Sequence, residues 1–180
     1  SKTGKVTLAM KHALAMVSFR VYADHTYKNT GTFTKLVLAN KSGGTTILNN
    51  GASPTMKIKD GTITAGSSPV AVTYTRDIAN YMLPKAAADT DQARTTAKNN
   101  ARKASILVLP ESTVDKSTVE ATLTIDNQDY KVALPGSDSK WEAGKNYLYT
   151  VKLSGSELVI SSVTVTQWTT VASSTDLDIK

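Results

Sequence analysis

The side chains that most often form catalytic or metal sites are scarce in this sequence. The chain has 180 residues, no Cys and two His, His12 and His25. Without Cys there is no thiolate nucleophile and no thiolate metal ligand, and two His alone do not complete a zinc site. His12 lies next to apolar residues, a position that indicates a structural histidine rather than a catalytic one.

Carboxylates and glycines are present, but not in the arrangements that catalysis or phosphate binding needs. Asp126 and Asp129 share a predicted turn, where acidic residues are common, whereas glycosidases need two carboxylates that converge across a cleft. Gly43 and Gly44 precede no helix pattern, so they predict no phosphate-binding loop. The sequence therefore predicts a protein that is not an enzyme and that holds no metal and no cofactor.

The charge of the chain identifies no partner. The formal net charge is +6 at pH 7, and the basic residues are scattered except for a cluster at residues 98–103. Nucleic-acid binders on β platforms interleave basic and aromatic residues, and that pattern is missing here. No apolar run approaches the roughly 20 residues of a membrane-spanning helix. We expect no nucleic-acid partner and no direct membrane span, and we assign the excess charge to solubility.

Apolar residues alternate with polar ones along much of the chain, a pattern that predicts β-strands. These strands must position the side chains discussed above. The apolar face of the first strand switches near residues 15–17, which predicts a bulge or a break there. Turn residues separate the strands at intervals typical of a two-sheet sandwich. We predict an all-β protein, a β-sandwich of about seven or more antiparallel strands. The strand patterns lie at residues 6–22, 32–38, 56–58, 62–63, 70–74, 105–109, 118–125, 130–134, 146–153, 158–160 and 163–168.

One internal segment lacks the strand pattern. Residues 85–104 are polar and rich in Ala, and they show no clear apolar stripe. We expect them to form a solvated insertion between two strands, partly helical or mobile. The predicted organisation is a single sandwich domain at residues 1–168 followed by a C-terminal tail at residues 169–180.

Four motifs together resemble the fimbrillin family, the subunits and accessory proteins of Bacteroidales-type (type V) pili. Residues 12–21 (HALAMVSFRV) are similar to a strand of that family, and residues 106–110 (ILVLP) resemble its hydrophobic strand end. Residues 141–151 (WEAGKNYLYTV) and 160–168 are similar to two later strands. Order and spacing agree over residues 5–170. The motif residues are His12, Leu14, Leu109, Pro110, Gly144, Tyr147, Tyr149 and Trp168.

The resemblance implies a transthyretin-like Greek-key β-sandwich in a component of a surface fimbria. Family members join when a strand of one subunit completes the sheet of its neighbour. Other fimbrial subunits are therefore the expected partners, and the cell surface at the outer membrane is the expected location. The candidate donor strand is the tail, with Val171, Leu177 and Ile179 as its apolar positions. A frayed terminus is the alternative interpretation of this tail.

The sequence departs from the family in its length. Members typically mature from lipoprotein precursors and carry two sandwiches, whereas 180 residues have room for one. We therefore expect either the C-terminal domain of a larger subunit or a short variant. A second function is also open: a glycan-binding or host-binding adhesin domain that uses residues 85–104 and exposed Tyr side chains.

Overall fold

A computed structural model describes residues 12–49, 55–64, 70–135, 140–155 and 157–167. Strands dominate these ranges, and a helix lies between the fifth and sixth strands. The strands are β1 (Ala15–Ala23), β2 (Thr32–Asn40), β3 (Thr55–Met56), β4 (Ile63–Thr64), β5 (Tyr74–Met82), β6 (Lys103–Val108), β7 (Val119–Ile125), β8 (Gln128–Ala133), β9 (Lys145–Ser154) and β10 (Glu157–Gln167), and the helix is α1 (Asp91–Asn100).

Two four-stranded sheets enclose the core. The strand order is β10-β9-β1-β6 in one sheet and β5-β2-β7-β8 in the other, while β3 and β4 form a separate hairpin. The predicted all-β sandwich is confirmed. Among the described strands, every pair is antiparallel except β1 and β9, which run parallel to each other. A parallel neighbour needs a long connection, which the chain between these two strands supplies.

The core forms because apolar residues alternate along the strands. In β7 every second residue is buried, from Val119 to Ile125. In β1 the residues Val17, Phe19 and Val21 are buried between the sheets. Such alternation places one face of each sheet on the core and the other towards solvent or a covering element. The largest fully buried side chains are Trp141, Tyr27, Tyr149, Phe19, Leu36, Leu38, Leu48, Leu123, Ile125, Leu134, Leu153 and Val17.

The first strand is shorter than the sequence predicted. The apolar alternation led us to expect a strand over residues 6–22 with a bulge or a break near 15–17, but β1 begins at Ala15 and residues 12–14 lie outside any strand. The change of apolar face therefore coincides with the beginning of β1 and not with a bulge. Residues before His12 lie outside the described ranges.

Two other strand predictions are corrected. The predicted strand at residues 70–74 is wrong, because β5 begins at Tyr74 and continues through the charged residues Arg76 and Asp77. These side chains are exposed on an edge strand, so they do not end it. The predicted strands at 158–160 and 163–168 are one strand, β10, with a bulge between Ile160 and Ser162.

Helix α1 occupies the middle of the segment predicted as a polar insertion. The Thr90 side chain caps its first turn by accepting a hydrogen bond of 3.2 Å from the Ala93 backbone N–H. No clear apolar stripe is visible in the sequence of this segment, yet Ala93, Ala97 and Ala101, spaced four apart, pack with Tyr22 of β1. Alanine is small enough for close helix–sheet contact, so an alanine stripe suffices to bury this face.

Candidate functional site

Three of the four resemblance motifs meet at one end of the sandwich. In the sheet, β1 lies between β6 and β9, antiparallel to the first and parallel to the second. The N-terminal end of β1 therefore lies beside the C-terminal end of β6 and the N-terminal end of β9. Residues 12–14, 109–111 and 141–144 flank these strand ends, so the topology brings the three segments together.

Backbone hydrogen bonds join these segments. The Gly144 N–H donates to the Leu14 carbonyl oxygen at 2.9 Å. Glu111, which follows Pro110 of the predicted motif, exchanges two backbone hydrogen bonds with Trp141, at 2.8 and 2.9 Å. The motifs at this end of the fold are thus in direct contact through their main chains.

Gly144 has a local structural reason to be glycine. Its backbone φ is +72°, in the left-handed region that residues other than glycine rarely adopt. A Cβ atom there would lie 3.7 Å from the carbonyl oxygen of His12, an ordinary contact. Glycine is therefore favoured at position 144 by the backbone conformation and not by a lack of space for a side chain.

The aromatic residues of the third motif form a buried cluster. The Trp141 Nε1–H donates to the Tyr149 hydroxyl oxygen at 3.0 Å, and the Tyr147 hydroxyl accepts from the Glu142 backbone N–H at 2.8 Å. The Tyr149 ring stacks on Phe19 with a centroid separation of 5.2 Å. Burial raises the pKa of both tyrosines, which keeps their hydroxyls protonated. These contacts give the motif tyrosines a packing role.

A cleft opens beside this cluster, and we call it the Glu111 cleft. It has a volume of about 360 Å³. The β3–β4 hairpin forms one wall, because a Cβ atom on Gly61 would lie 3.6 Å from the Ala13 side chain. The residues that line the cleft are Ala13, Asn49, Gly61, Thr62, Ile63, Leu109, Pro110, Glu111 and Ala143.

Glu111 is the ionisable residue among those that line the cleft. Its side chain is half-buried, and burial raises the pKa of its carboxyl to about 7. Within the described ranges its side chain forms no ion pair and no hydrogen bond. A carboxyl group in such a setting carries a charge near neutral pH without a protein partner.

The described residues contain no arrangement for metal chemistry or membrane spanning. No group of three or more His, Asp or Glu side chains within them could hold a metal ion. None of their helices combines the length and apolar character of a membrane span. The carboxylates noted in the sequence have local roles: Asp126 accepts hydrogen bonds from a neighbouring loop, and Asp129 accepts one from Thr124 at 2.6 Å.

The remaining motif and tail positions lie outside the described ranges. Trp168 follows the last described residue, Gln167, and the predicted donor positions Val171, Leu177 and Ile179 lie further along the tail. Their roles therefore stay predictions. His12, Leu14, Leu109, Pro110, Gly144, Tyr147 and Tyr149 are described and lie around the cleft or in the buried aromatic cluster.

The exposed aromatic surface expected for a glycan-binding adhesin is missing from the described part of the chain. Every exposed large apolar side chain there is aliphatic. Tyr74 and Tyr81 are half-buried, and the other five tyrosines are buried. Buried and exposed tyrosines could not be separated from the sequence, because Tyr occurs on both the core face and the solvent face of strands.

Sequence reasoning missed the Glu111 cleft altogether. Glu111 follows a motif proline and carries no recognisable pattern of its own. The cleft exists because the β3–β4 hairpin lies against the segment before β1, a contact between residues about 50 positions apart that periodicity does not report. In the sequence, Asp60-Gly61 lies between the strand patterns at 56–58 and 62–63 and indicates a hairpin, but it does not indicate where that hairpin packs.

Solved structures with a similar fold come from Bacteroides. One is a protein assigned to cell adhesion from Bacteroides ovatus, with a TM-score of 0.57 and 15% identity; the match covers 87% of this chain and 46% of that one. Another such protein, from Bacteroides uniformis, has a TM-score of 0.56 and 18% identity, with coverages of 88% and 52%. This chain thus spans about half the length of the structures it matches.

Sequence comparison supplies the family. No protein of curated function matches the chain. A family model described as fimbrillin-like matches residues 1–168, which include every strand described above. The resemblance seen in the four motifs is thereby confirmed. The chain belongs to the fimbrillin-like family.

Proposed function

We propose that this chain is a structural subunit or accessory component of a bacterial surface fimbria and that it assembles by strand exchange between subunits. Membership of the fimbrillin-like family supports a fimbrial or adhesion-related role at the cell surface. Proteins of this family are structural and not enzymes, in agreement with the prediction from sequence. The proposal further places the subunit at the outer membrane, with other fimbrial subunits as its partners.

The observation that supports strand exchange is the open edge of β10. This strand lies at the end of its sheet and, within the described residues, pairs with β9 alone. It is eleven residues long, and after Glu157 it consists of uncharged residues rich in Val, Thr and Ser. A long edge strand without charges offers unpaired N–H and C=O groups to a strand from another chain.

The side chains of β10 add an apolar surface to this edge. Val163 and Val165 are opposite Tyr149 and Tyr147 of β9, so they lie on the face of the sheet that bears the core. They are nevertheless 39% and 50% exposed. A strand laid along β10 would cover these valines while it completes the backbone hydrogen bonds.

The other sheet edges carry charged residues. Strands β5 and β6 lie against each other, as β8 and β10 do, and Arg76 on β5 donates from its guanidinium to the Ser105 carbonyl oxygen on β6. Strand β8 is six residues long and exposes Asp129 and Lys131. Charges and short length are the usual protection of an edge against unwanted pairing. This contrast favours β10 as the acceptor edge.

The donor in this proposal is the tail at residues 169–180 of a neighbouring subunit. Its apolar positions Val171, Leu177 and Ile179 have odd numbers, so in an extended strand they would point to one face. That face would lie on the apolar surface formed by Val163 and Val165. Ser173 and Thr175 would share that face, and the even-numbered residues, which include Asp176 and Asp178, would lie on the opposite face.

The test is a charge placed on the acceptor edge. Val165→Lys should leave the subunit folded but prevent its incorporation into fimbriae, because a lysine on this surface opposes strand addition. Met82→Lys is the matched control, since Met82 is 63% exposed on an edge of the other sheet. Immunoblots of isolated fimbriae measure incorporation, and urea unfolding measures stability. Normal incorporation of the Val165→Lys subunit would contradict assembly through β10.

A further inference from the structure

The Glu111 cleft has the dimensions of a ligand site. Its volume of about 360 Å³ is within the range of roughly 300–1,000 Å³ found for small-molecule pockets. Such pockets are mostly apolar with a few polar groups that orient the ligand. The Glu111 cleft fits that description, because Ala13, Ile63, Leu109 and Pro110 supply an apolar lining.

Among the polar groups of the cleft, Glu111 and Asn49 offer acceptor oxygens, and Thr62 adds a hydroxyl that can donate or accept. Glu111 is half-buried and forms no ion pair within the described residues. Asn49 donates through its Nδ2 to the Ile47 carbonyl oxygen at 3.1 Å, which leaves its Oδ1 as a further acceptor. A cationic donor satisfies a carboxylate and an amide oxygen together, whereas an anion is repelled by the carboxylate.

We propose that the Glu111 cleft binds an aliphatic ammonium group, with the ammonium on the Glu111 carboxylate and the carbon chain along the apolar lining. An ammonium group has three donors, enough for the carboxylate, the Asn49 amide oxygen and water. Methylene groups next to the cation gain from contact with Leu109 and Ile63. The group has two possible sources, a lysine side chain of another protein or a free alkylamine. This proposal does not depend on strand exchange.

The charge of Glu111 makes binding depend on pH. The other residues that line the cleft do not titrate. The ionisable residues near it are Tyr74 of β5, which interacts with Glu111, and His12, Asp60 and Glu142, which adjoin lining residues in the chain. Burial raises the pKa of the Tyr74 hydroxyl, so Tyr74 stays neutral through this range. Burial also raises the pKa of Glu111 to about 7. The carboxylate therefore gains its charge between pH 6 and 8, and ammonium binding should strengthen over that interval.

Calorimetric titration of the whole chain with n-pentylammonium chloride tests the proposal. We expect saturable binding at pH 8.5, at least tenfold weaker binding at pH 5.5, and at least tenfold weaker binding of pentan-1-ol at pH 8.5. Nα-acetyl-lysine N-methylamide is the second probe. If this probe binds as well as pentylammonium, the natural source of the ammonium group is a protein lysine. If only pentylammonium binds, the natural source is a free alkylamine. Both results support an ammonium site.

Two variants and one control complete the test. Glu111→Gln should abolish the preference for pentylammonium over pentanol, and Ala143→Leu should weaken both by filling the cleft. Glu142→Gln is the control, because Glu142 pairs with Lys140 at 3.1 Å and does not line the cleft. Circular dichroism checks that each variant is folded. Absence of pentylammonium binding, or equal binding by the Glu111→Gln and parent proteins, overturns the proposal.

Discussion

Asp126 connects two distant turns through a single carboxylate. Its Oδ2 accepts from the Tyr27 hydroxyl at 2.7 Å and from the Gly31 N–H at 2.8 Å, and its Oδ1 accepts from the Thr32 N–H at 2.8 Å. Burial raises the pKa of this carboxyl, but these hydrogen bonds outweigh it, so the pKa lies below its usual value. Asp126 also occupies the β7–β8 turn with φ +51°, a conformation that Asp tolerates.

Tyr27→Phe should lower the free energy of unfolding by about 1–2 kcal/mol, because it removes one hydrogen bond to a charged acceptor. Tyr27 is 1% exposed, so water does not replace the lost donor. The matched control is Tyr81→Phe, whose hydroxyl accepts from the exposed Arg102 backbone N–H at 2.9 Å, a donor that water can satisfy instead. Urea unfolding monitored by circular dichroism measures both variants. Equal losses for the two variants would argue against a special role for Asp126.

Glu111→Gln should stabilise the protein at high pH and leave its stability unchanged at low pH. The pKa of Glu111 is raised to about 7, so the folded state favours the neutral carboxyl and loses stability as the pH rises from about 4 towards 7. A glutamine avoids that loss. Urea unfolding at pH 4 and pH 8.5 should show a gain of about 1 kcal/mol at pH 8.5 alone, after allowance for solvent screening of this half-exposed group. The same change at both pH values would exclude titration of Glu111 as its cause.

Among the elements, α1 depends on its cap and on its alanine stripe. Thr90 caps the first turn, Asp91 lies in that turn, and Lys98 lies in the last turn, so both charged residues complement the helix dipole. The buried face consists of alanines that pack with Tyr22. A ten-residue helix is too short to be stable without such support.

Thr90→Ala should destabilise α1 by about 1 kcal/mol, since the Ala93 N–H loses its acceptor. Thr95→Ala is the matched control, because Thr95 is exposed in the middle of the helix and Ala is the better helix former. Hydrogen exchange of the α1 amides provides the measurement. We expect faster exchange for Thr90→Ala and unchanged or slower exchange for Thr95→Ala. Faster exchange in both variants would mean that the cap is not the cause.

Some of these elements could be predicted from the sequence, and others could not. Strands with regular alternation, such as β2, β7 and β9, were predicted within one or two residues, because alternation reports burial directly. β5 was misplaced because it is an edge strand whose charged residues look like a boundary. The alanine stripe of α1 was missed because its burial depends on Tyr22, which lies about 70 positions away in the chain. Positions in the sandwich that depend on contacts between residues so far apart cannot be predicted from the sequence alone.

At the scale of the whole molecule, assembly and folding should be separable. Deleting residues 169–180 should leave the sandwich intact, since every described strand lies before them, but should abolish assembly into fimbriae. Thermal melting by circular dichroism reports the fold, and light scattering after gel filtration reports assembly. A synthetic 169–180 peptide should bind the truncated chain, and a peptide with Leu177→Asp and Ile179→Asp should not. Unchanged assembly of the truncated protein would contradict the proposal that the tail is the donor strand.

The parallel pairing of β1 with β9 affects how this protein is made. The hydrogen bond between the Ser18 and Asn146 side chains joins residues 128 positions apart across these two strands. At ordinary rates of translation, β9 is synthesised on the order of ten seconds after β1. Contacts at such long range slow the closure of the first sheet, and the expected folding time is in the range of milliseconds to seconds after chain completion. The first sheet therefore stays incomplete until β9 has been synthesised, so the sandwich is completed late in translation or after it.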